Sequence, residues 1–229
     1  DYAFTPLSRR SVTGLYGDTL RLSASRIDRF AACRYAFFLS DGLKAAPWKQ
    51  AKFDAPVFGT FVHYVLECTL RALRAHGGPA GVGDAELTAV TEHYIEDYVN
   101  KFMPDAAARG SRFQYLFARN MEEVRTVVQD VARELRLSQF TARDMELTFR
   151  EDGGALPPVR ISGQNGSCVI SGSVDRVDLY EQGGRYSCRV VDYKTGRKDF
   201  DYASILCGEG LQMLLYLFAL RQSGERYYG

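Results

Sequence analysis

The chain has 229 residues, of which 46% are hydrophobic and 13% aromatic, so it is long enough to bury a full core as one large domain or two small ones. Its formal net charge of +1 excludes a generically basic nucleic-acid coat, because non-specific phosphate binding needs an excess of lysine and arginine, and any DNA contact is therefore local. The sequence has no run of the roughly 20 apolar residues that span a bilayer and no hydrophobic signal core at its start, which predicts a cytoplasmic protein without a membrane partner.

The N-terminal part of the chain predicts a short lead-in followed by a helix. Residues 1–21 are expected to be an extended segment that leads into the domain. Ser25 as an N-cap, with Asp28 three residues later and apolar residues at helical spacing, predicts a helix from about 25 to 40. Because the chain does not begin with methionine and stops at Gly229, we expect a fragment of a longer polypeptide.

The middle of the chain predicts three more helices. Apolar residues recur at helical spacing from Phe58 onward, on a helix that carries His63. Similar patterns at 87–98 and 113–135 predict two amphipathic helices. We assign these two to a helical insertion at 77–140.

The pattern changes to period two near residue 144. Strands are predicted at 145–150, 167–181 and 185–194, separated by turns rich in glycine and proline. The segment 209–222 is too long and too rich in leucine for a strand, and it predicts a mostly buried helix. The sheet and this helix, at 144–222, form the expected catalytic region of a single domain.

Two of these strands are expected to form a hairpin that sets carboxylates opposite each other. A two-residue turn at 183–184, Gly-Gly, places Gln182 opposite Arg185. The same register places Asp175 opposite Asp192. Directly opposed like charges destabilise a sheet, so a compensating charge is expected there.

A divalent cation would supply that charge. Oxygen ligands from two neighbouring strands suit Mg²⁺ or Mn²⁺, and period-two geometry places Lys194 on the same face as Asp192. Asp178, three residues after Asp175, is expected on the opposite face as a surface carboxylate. The alternative is an exposed hairpin with scattered charges and a longer, differently registered loop. A cation at this position would activate a water and neutralise a scissile phosphate, which predicts hydrolysis without a covalent intermediate.

Four sequence motifs, taken in order, resemble those of the RecB-like branch of the PD-(D/E)XK nuclease superfamily. They are GTFVHYVLE at 59–67, GSVD at 172–175, VDYKTG at 191–196 and QMLLY at 212–216. The resemblance implies an α/β fold with a restriction-endonuclease-like core, in which a mixed sheet is flanked by helices. It covers about 20–75 and 145–222, and the helical middle poorly.

The resemblance also assigns roles to individual residues. Asp175, Asp192 and Lys194 would be catalytic, His63, Asp175 and Asp192 would bind Mg²⁺ or Mn²⁺, Glu146 would be an additional acidic residue or else a charge at the strand edge, and Gln212 and Tyr216 would support DNA and the active site. Lys194 would orient the attacking water or stabilise the transition state as a point charge.

The segment LSASRIDRFAACRYAFFLSDGL at 22–43 further resembles the start of the nuclease domain in the AddB family, whose members belong to bacterial ATP-dependent helicase-nucleases that process double-strand breaks. That family implies that Cys33 is the first ligand of a [4Fe–4S] cluster, although Arg34 stands where proline usually follows. The five cysteines show no CxxC spacing, and the other three cluster ligands and the last core strand are expected beyond Gly229. Cys33 is therefore expected to be a free thiol in this chain.

The resulting expectation is a Mg²⁺- or Mn²⁺-dependent deoxyribonuclease domain that hydrolyses single-stranded DNA beside an AddA-like helicase-nuclease subunit. Two alternatives remain at this point. One is a nuclease-like fold retained only for DNA binding or scaffolding, and the other is a stand-alone RecB-like nuclease.

Overall fold

A computed structural model describes most of the chain, in two compact units. The described residues are 6–46, 55–164, 166–194, 196, 201–224 and 227, without the side chains of Ala55, Pro56 and Ala107. The first unit comprises residues 1–50, 147–173 and 199–227, and the second comprises 51–146, 174–198 and 228–229.

Eight α-helices and six strands are assigned among the described residues. The helices are α1 Arg9–Tyr16, α2 Ala24–Ala32, α3 Arg34–Phe37, α4 Ala55–Leu73, α5 Asp84–Phe102, α6 Ser111–Leu137, α7 Tyr202–Leu206 and α8 Gln212–Gln222. The strands are β1 Leu20–Leu22, β2 Thr141–Phe149, β3 Val159–Gly163, β4 Gly166–Ile170, β5 Gly172–Gln182 and β6 Arg185–Val191. Among these helices, none is both long enough and apolar enough to cross a membrane.

The first unit contains a mixed sheet in the order β1-β4-β3. Strand β1 runs parallel to β4, with Leu20 opposite Cys168, and β3 runs antiparallel to it, with Val159 opposite Ile170. The expectation that residues 1–21 are extended is wrong, because Ser8 caps α1 with a hydrogen bond from the Ser11 amide. The predicted α/β class with a mixed sheet is confirmed.

The helix predicted from about 25 to 40 is interrupted at Cys33. This residue has an extended backbone with φ of −160°, which ends α2, and its Sγ accepts the Ala36 amide hydrogen at 3.5 Å to start α3. The N-cap position is Ser23 rather than Ser25, because the extended backbone that a cap requires occurs at Ser23. A π-helical turn at Phe38–Gly42 follows α3.

The second unit packs α4, α5 and α6 around a core of aliphatic and aromatic side chains. Both helices predicted for the insertion form, as α5 and α6. The buried residues of α5 are Leu87, Thr91, Ile95 and Tyr98, and those of α6 include Val124, Val128, Val131 and Leu135. The spacing of three and four residues places each set on one face of its helix. This core supports α4, which carries His63.

A second sheet has the order β2-β5-β6, and its hairpin has the predicted register. Gln182 lies opposite Arg185, and the two turn glycines at 183–184 have φ of 60° and 77°, which suits a tight two-residue turn. The ladder ends where Arg176 lies opposite Val191, so β6 is shorter than the predicted 185–194. Ser171 separates β4 from β5 within the predicted strand 167–181. The expected last core strand lies outside the described residues.

Candidate metal centre

Three side chains of the second unit form a cluster that could hold a metal ion. They are His63 from α4, Glu146 from β2 and Asp175 from β5, and one ligand atom of each lies within 4.8 Å of the other two. His63 Nδ1 is 3.6 Å from Glu146 Oε1 and 3.6 Å from Asp175 Oδ2. One imidazole nitrogen and two carboxylate oxygens are ligands that suit a divalent cation.

The orientation of the His63 ring is fixed by a hydrogen bond to the main chain of Tyr193. Its Nε2 lies 3.1 Å from the carbonyl oxygen of Tyr193, which only accepts, so Nε2 carries the hydrogen. Nδ1 therefore faces the two carboxylates. The hydrogen bond with Glu146 is the main cause that raises the pKa of His63, and the charge of Asp175 adds to it. A cation at Nδ1 would replace the proton that these carboxylates attract.

Asp175 is buried beside other acidic groups. Burial is the main cause that raises its pKa to about 6, and the charges of Asp192 and Glu146 raise it further. The Tyr193 amide, which donates a hydrogen bond to Asp175 Oδ2 at 2.7 Å, and the charge of His63 oppose this rise. The residues present fit a divalent cation, because a positive charge would relieve the repulsion within this group.

Glu146 reaches the cluster from an unusual backbone conformation. Its φ is 47°, in the left-handed region that residues other than glycine rarely adopt. Arg71 of α4 donates a hydrogen bond to the carbonyl oxygen of the preceding residue, Met145, at 2.9 Å. The backbone of β2 is thus held to α4 one residue before Glu146, and strain of this kind is often found at functional sites.

Asp192 and Lys194 lie beyond the end of β6. Lys194 Nζ is 2.5 Å from Asp192 Oδ2, and the lysine side chain is 41% exposed. Asp192 is close enough to raise the pKa of Asp175, but the three-residue cluster contains Glu146 and not Asp192. The structure therefore brings the predicted His63, Glu146 and Asp175 together and pairs Asp192 with Lys194.

Gln212 and Tyr216 lie in the first unit, one turn apart on α8. Gln212 Nε2 donates a hydrogen bond to Tyr216 Oη at 2.6 Å, and the buried Tyr216 ring packs edge-on against Phe149 with centroids 6.0 Å apart. Their role at DNA stays a prediction. Cys33, in the same unit, is exposed and forms no disulfide.

Asp178 differs from the sequence-based expectation of a surface carboxylate. It is fully buried and accepts hydrogen bonds from Arg176 and Arg189. Arg176 lies two residues before Asp178 on the same face of β5, and Arg189 lies directly opposite Asp178 in the hairpin. The predicted register already contained this signal, since it places Arg189 opposite Asp178. No sequence pattern indicated Tyr193, whose main chain contacts both His63 and Asp175.

Comparison with known proteins gives a family and several relatives of this chain. A sequence model of the PD-(D/E)XK nuclease superfamily matches residues 21–229, including the helical middle. The chain is 31% identical over 214 residues to an ATP-dependent helicase/deoxyribonuclease subunit of Thermoanaerobacter sp. (strain X514), which covers 93% of this chain and 18% of that protein. It is 33% identical over 211 residues to the protein of the same name from Caldanaerobacter subterraneus subsp. tengcongensis. This match covers 91% of this chain and 18% of that protein.

A third relative gives the same result. The chain is 30% identical over 221 residues to the ATP-dependent helicase/deoxyribonuclease subunit of the same name from Clostridioides difficile (strain 630), which covers 96% of this chain and 19% of that protein. The chain thus spans less than a fifth of the length of the curated relatives it matches.

Proposed function

Because the chain belongs to the PD-(D/E)XK nuclease superfamily, we propose that it is a nuclease domain that uses Mg²⁺ or Mn²⁺ to hydrolyse phosphodiester bonds of single-stranded DNA. The cluster of His63, Glu146 and Asp175 is the observation that carries this proposal, because it gathers two carboxylates and an oriented imidazole in one place. Nucleases of this superfamily use divalent metals.

Side chains of the second unit are proposed to have two roles, namely metal binding and phosphate binding. His63 Nδ1, Glu146 and Asp175 would hold the cation, and Asp192 is proposed as a further ligand. A bound divalent cation lowers the pKa of its water and neutralises charge on the scissile phosphate. Lys194 extends an exposed ammonium beside Asp192, so it would contact an oxygen of the phosphate or orient the attacking water.

The wider assignment is to a bacterial ATP-dependent helicase-nuclease that processes double-strand breaks. The names of the relatives contain the words deoxyribonuclease, helicase and subunit, which support DNA as the substrate and a second helicase-nuclease subunit as the partner. We propose that this partner is AddA-like and that the complex works in the bacterial cytoplasm, where the DNA is. A helicase delivers separated strands, which supports single-stranded DNA as the form that is cleaved. Gln212 and Tyr216 are proposed to assist binding of that DNA.

An iron–sulfur cluster is proposed for the longer protein. Cys33 lies at the break between α2 and α3, where its thiol is exposed and free to bind a metal cluster. A [4Fe–4S] cluster needs four thiolates, so Cys33 would be one ligand among four. The exposed position at a helix break supports this role.

Cleavage of labelled single-stranded DNA by the 229-residue chain tests the proposed nuclease. Mn²⁺ should give cleavage that EDTA stops. Asp175→Asn and Glu146→Gln should each lower the rate by about 100-fold or more, because each removes a charged ligand of the cation. Asp130→Asn is the matched control, since it removes a carboxylate from an exposed pair with Arg133. Unchanged cleavage by Asp175→Asn would show that the reaction occurs elsewhere or in a contaminant.

A further inference from the structure

A small pocket in the second unit is lined by two arginines, Arg74 and Arg143, that have no ion-pair partner among the described residues. It lies between the end of α4, the turn that follows α4, the end of α6 and the start of β2. We propose that this pocket binds one nucleotide of the single-stranded DNA, with the phosphate between the two arginines and the base against the apolar inner side. This inference rests on the proposed function and adds a DNA contact away from the metal centre.

The charge of the pocket matches that of a phosphate. Arg74 and Arg143 both line it and are exposed to solvent. Arg71 and Arg136, their neighbours on α4 and α6, are instead held in ion pairs. Of the described residues that line the pocket, none is acidic. Two guanidinium groups with no competing carboxylate favour an anion that offers several oxygens, such as a phosphodiester.

The inner side of the pocket is apolar and suits a base. Leu70 and Leu135 are buried there, and the half-buried ring of Phe140 lines the same pocket. This ring is held by Tyr180, with centroids 5.8 Å apart, and by the guanidinium of Arg189, 5.0 Å from the ring centroid. Aromatic side chains beside a positively charged groove bind single-stranded DNA without reading its sequence.

The size of the pocket favours a strand over a free small molecule. Its volume is about 230 Å³. Pockets that enclose a whole small-molecule ligand have roughly 300–1,000 Å³. One base needs less room when the strand that carries it continues outside the pocket. The pocket therefore fits part of a longer ligand.

The wall formed by the turn after α4 is held in place before any ligand binds. Gly77 and Gly78 have φ of 82° and 73°, a conformation that glycine adopts without strain. Arg136 donates hydrogen bonds to the carbonyl oxygens of Pro79 and Val82, at 2.9 Å and 3.0 Å. A preformed pocket loses little conformational entropy when it is occupied.

The pocket lies close enough to the candidate metal centre to share one DNA strand with it. Leu70 follows His63 by seven residues on α4, which is about 10 Å along the helix axis. Arg143 precedes Glu146 by three residues on β2, which is about 10 Å along the strand. Because neighbouring phosphates of one DNA strand are about 3.4 Å apart along the axis, roughly three nucleotides would connect the two sites.

Binding of a labelled single-stranded oligonucleotide by the 229-residue chain in EDTA, where cleavage is stopped, tests this site. The double variant Arg74→Gln, Arg143→Gln should bind about tenfold more weakly, because it loses charged hydrogen bonds to the phosphate. The slope of log affinity against log salt concentration should become shallower by about 0.7, the value for one phosphate of a single strand. Phe140→Leu should weaken binding without changing this slope, because it alters the contact with the base alone.

A neutral methylphosphonate, placed at each linkage of the oligonucleotide in turn, locates the contact. In the unchanged chain one position should weaken binding more than the others, and in the double variant that position should have no special effect. The matched control is the pair Arg112→Gln, Arg133→Gln, which removes two exposed arginines of α6 outside the pocket and changes the net charge equally. This pair should keep both the affinity and the position effect.

The outcomes separate this inference from the proposed function. Unchanged binding by the double variant, an equal loss in the control pair, or a loss with no position effect would overturn the pocket alone, because each would show that the two arginines hold no particular phosphate. A chain that binds no single-stranded DNA would overturn the proposed function, and this inference with it.

Discussion

Glu146 has a backbone conformation that favours glycine, yet it carries a carboxylate of the candidate metal centre. With φ of 47°, any side chain at this position is strained, at about 1–3 kcal/mol. We therefore predict that Glu146→Gly has a free energy of unfolding about 1 kcal/mol higher than Glu146→Ala. Urea unfolding of the two variants in EDTA measures the difference, and both should lose Mn²⁺-dependent cleavage.

Arg143, at an exposed position of the same strand, is the control for this comparison. Its φ is not in the left-handed region, so glycine there should be less stable than alanine by about 0.5–1 kcal/mol, because glycine loses more conformational freedom on folding. The two positions should thus give opposite orders of stability. The same order at both would contradict the assignment of backbone strain to Glu146.

Asp178 offers a second prediction at the scale of one side chain. Asp178→Asn keeps the shape of the residue but leaves Glu134 as the remaining carboxylate partner of both Arg176 and Arg189. Breaking a buried ion pair costs about 3–5 kcal/mol, so the variant should lose stability in that range when unfolding is followed in guanidinium chloride. Asp130→Asn, in an exposed pair with Arg133, should be neutral. Equal effects of the two would mean that Asp178 is solvated.

Gly172, the first residue of β5 and of the GSVD motif, is required by packing between elements of the first unit. A Cβ added there would lie 2.7 Å from the ring of the buried Phe149, which also packs against Tyr216. Gly172→Ala should therefore lower the free energy of unfolding by about 1–3 kcal/mol, as overpacking a core does. Thermal unfolding of the variant measures this loss.

Gly14 provides the matched control for Gly172. It lies within α1, and a Cβ there would meet nothing within 4 Å. Gly14→Ala should raise the stability of the chain, because alanine favours a helix over glycine by up to about 1 kcal/mol. If Gly172→Ala were equally stabilising, the contact with Phe149 would not be the reason for glycine at the start of β5.

The elements that the sequence predicted are those whose signals are local. The Gly-Gly turn at 183–184 determines the hairpin register, and apolar spacing shows α4, α5 and α6. Strand β1 has only three residues and pairs with β4, which is distant in the sequence, so no local pattern could show it. The break at Cys33 depends on one residue with an extended backbone inside a helical pattern.

Part of the site was also predictable, because some of its residues lie in local sequence signals. Motif spacing indicated His63 and Asp175, and the hairpin register implied that Arg189 faces Asp178. The left-handed backbone of Glu146 has no signature in the residue types around it. Tyr193 contacts His63 and Asp175 through main-chain atoms that every residue possesses, so these contacts become visible only in three dimensions.

At the scale of the whole molecule, the candidate metal centre joins segments that are far apart in the sequence. His63 comes from a helix near the start of the second unit, Glu146 from β2 and Asp175 from β5. An ion bound to all three closes two long loops of chain, which an unfolded chain can do only at an entropic cost. Metal binding and folding are therefore expected to be coupled.

Mn²⁺ should accordingly stabilise the folded chain, which is the last prediction. At a free Mn²⁺ concentration 100 times the dissociation constant, the free energy of unfolding should rise by about 2.7 kcal/mol, and the melting temperature should rise with Mn²⁺ concentration. Differential scanning calorimetry in EDTA and in increasing Mn²⁺ measures both. Asp175→Asn, which removes the most buried ligand, should lose most of this increase. An equal increase in that variant would mean that Mn²⁺ binds elsewhere on the chain, because stabilisation follows from binding to the folded state at whichever site holds the ion.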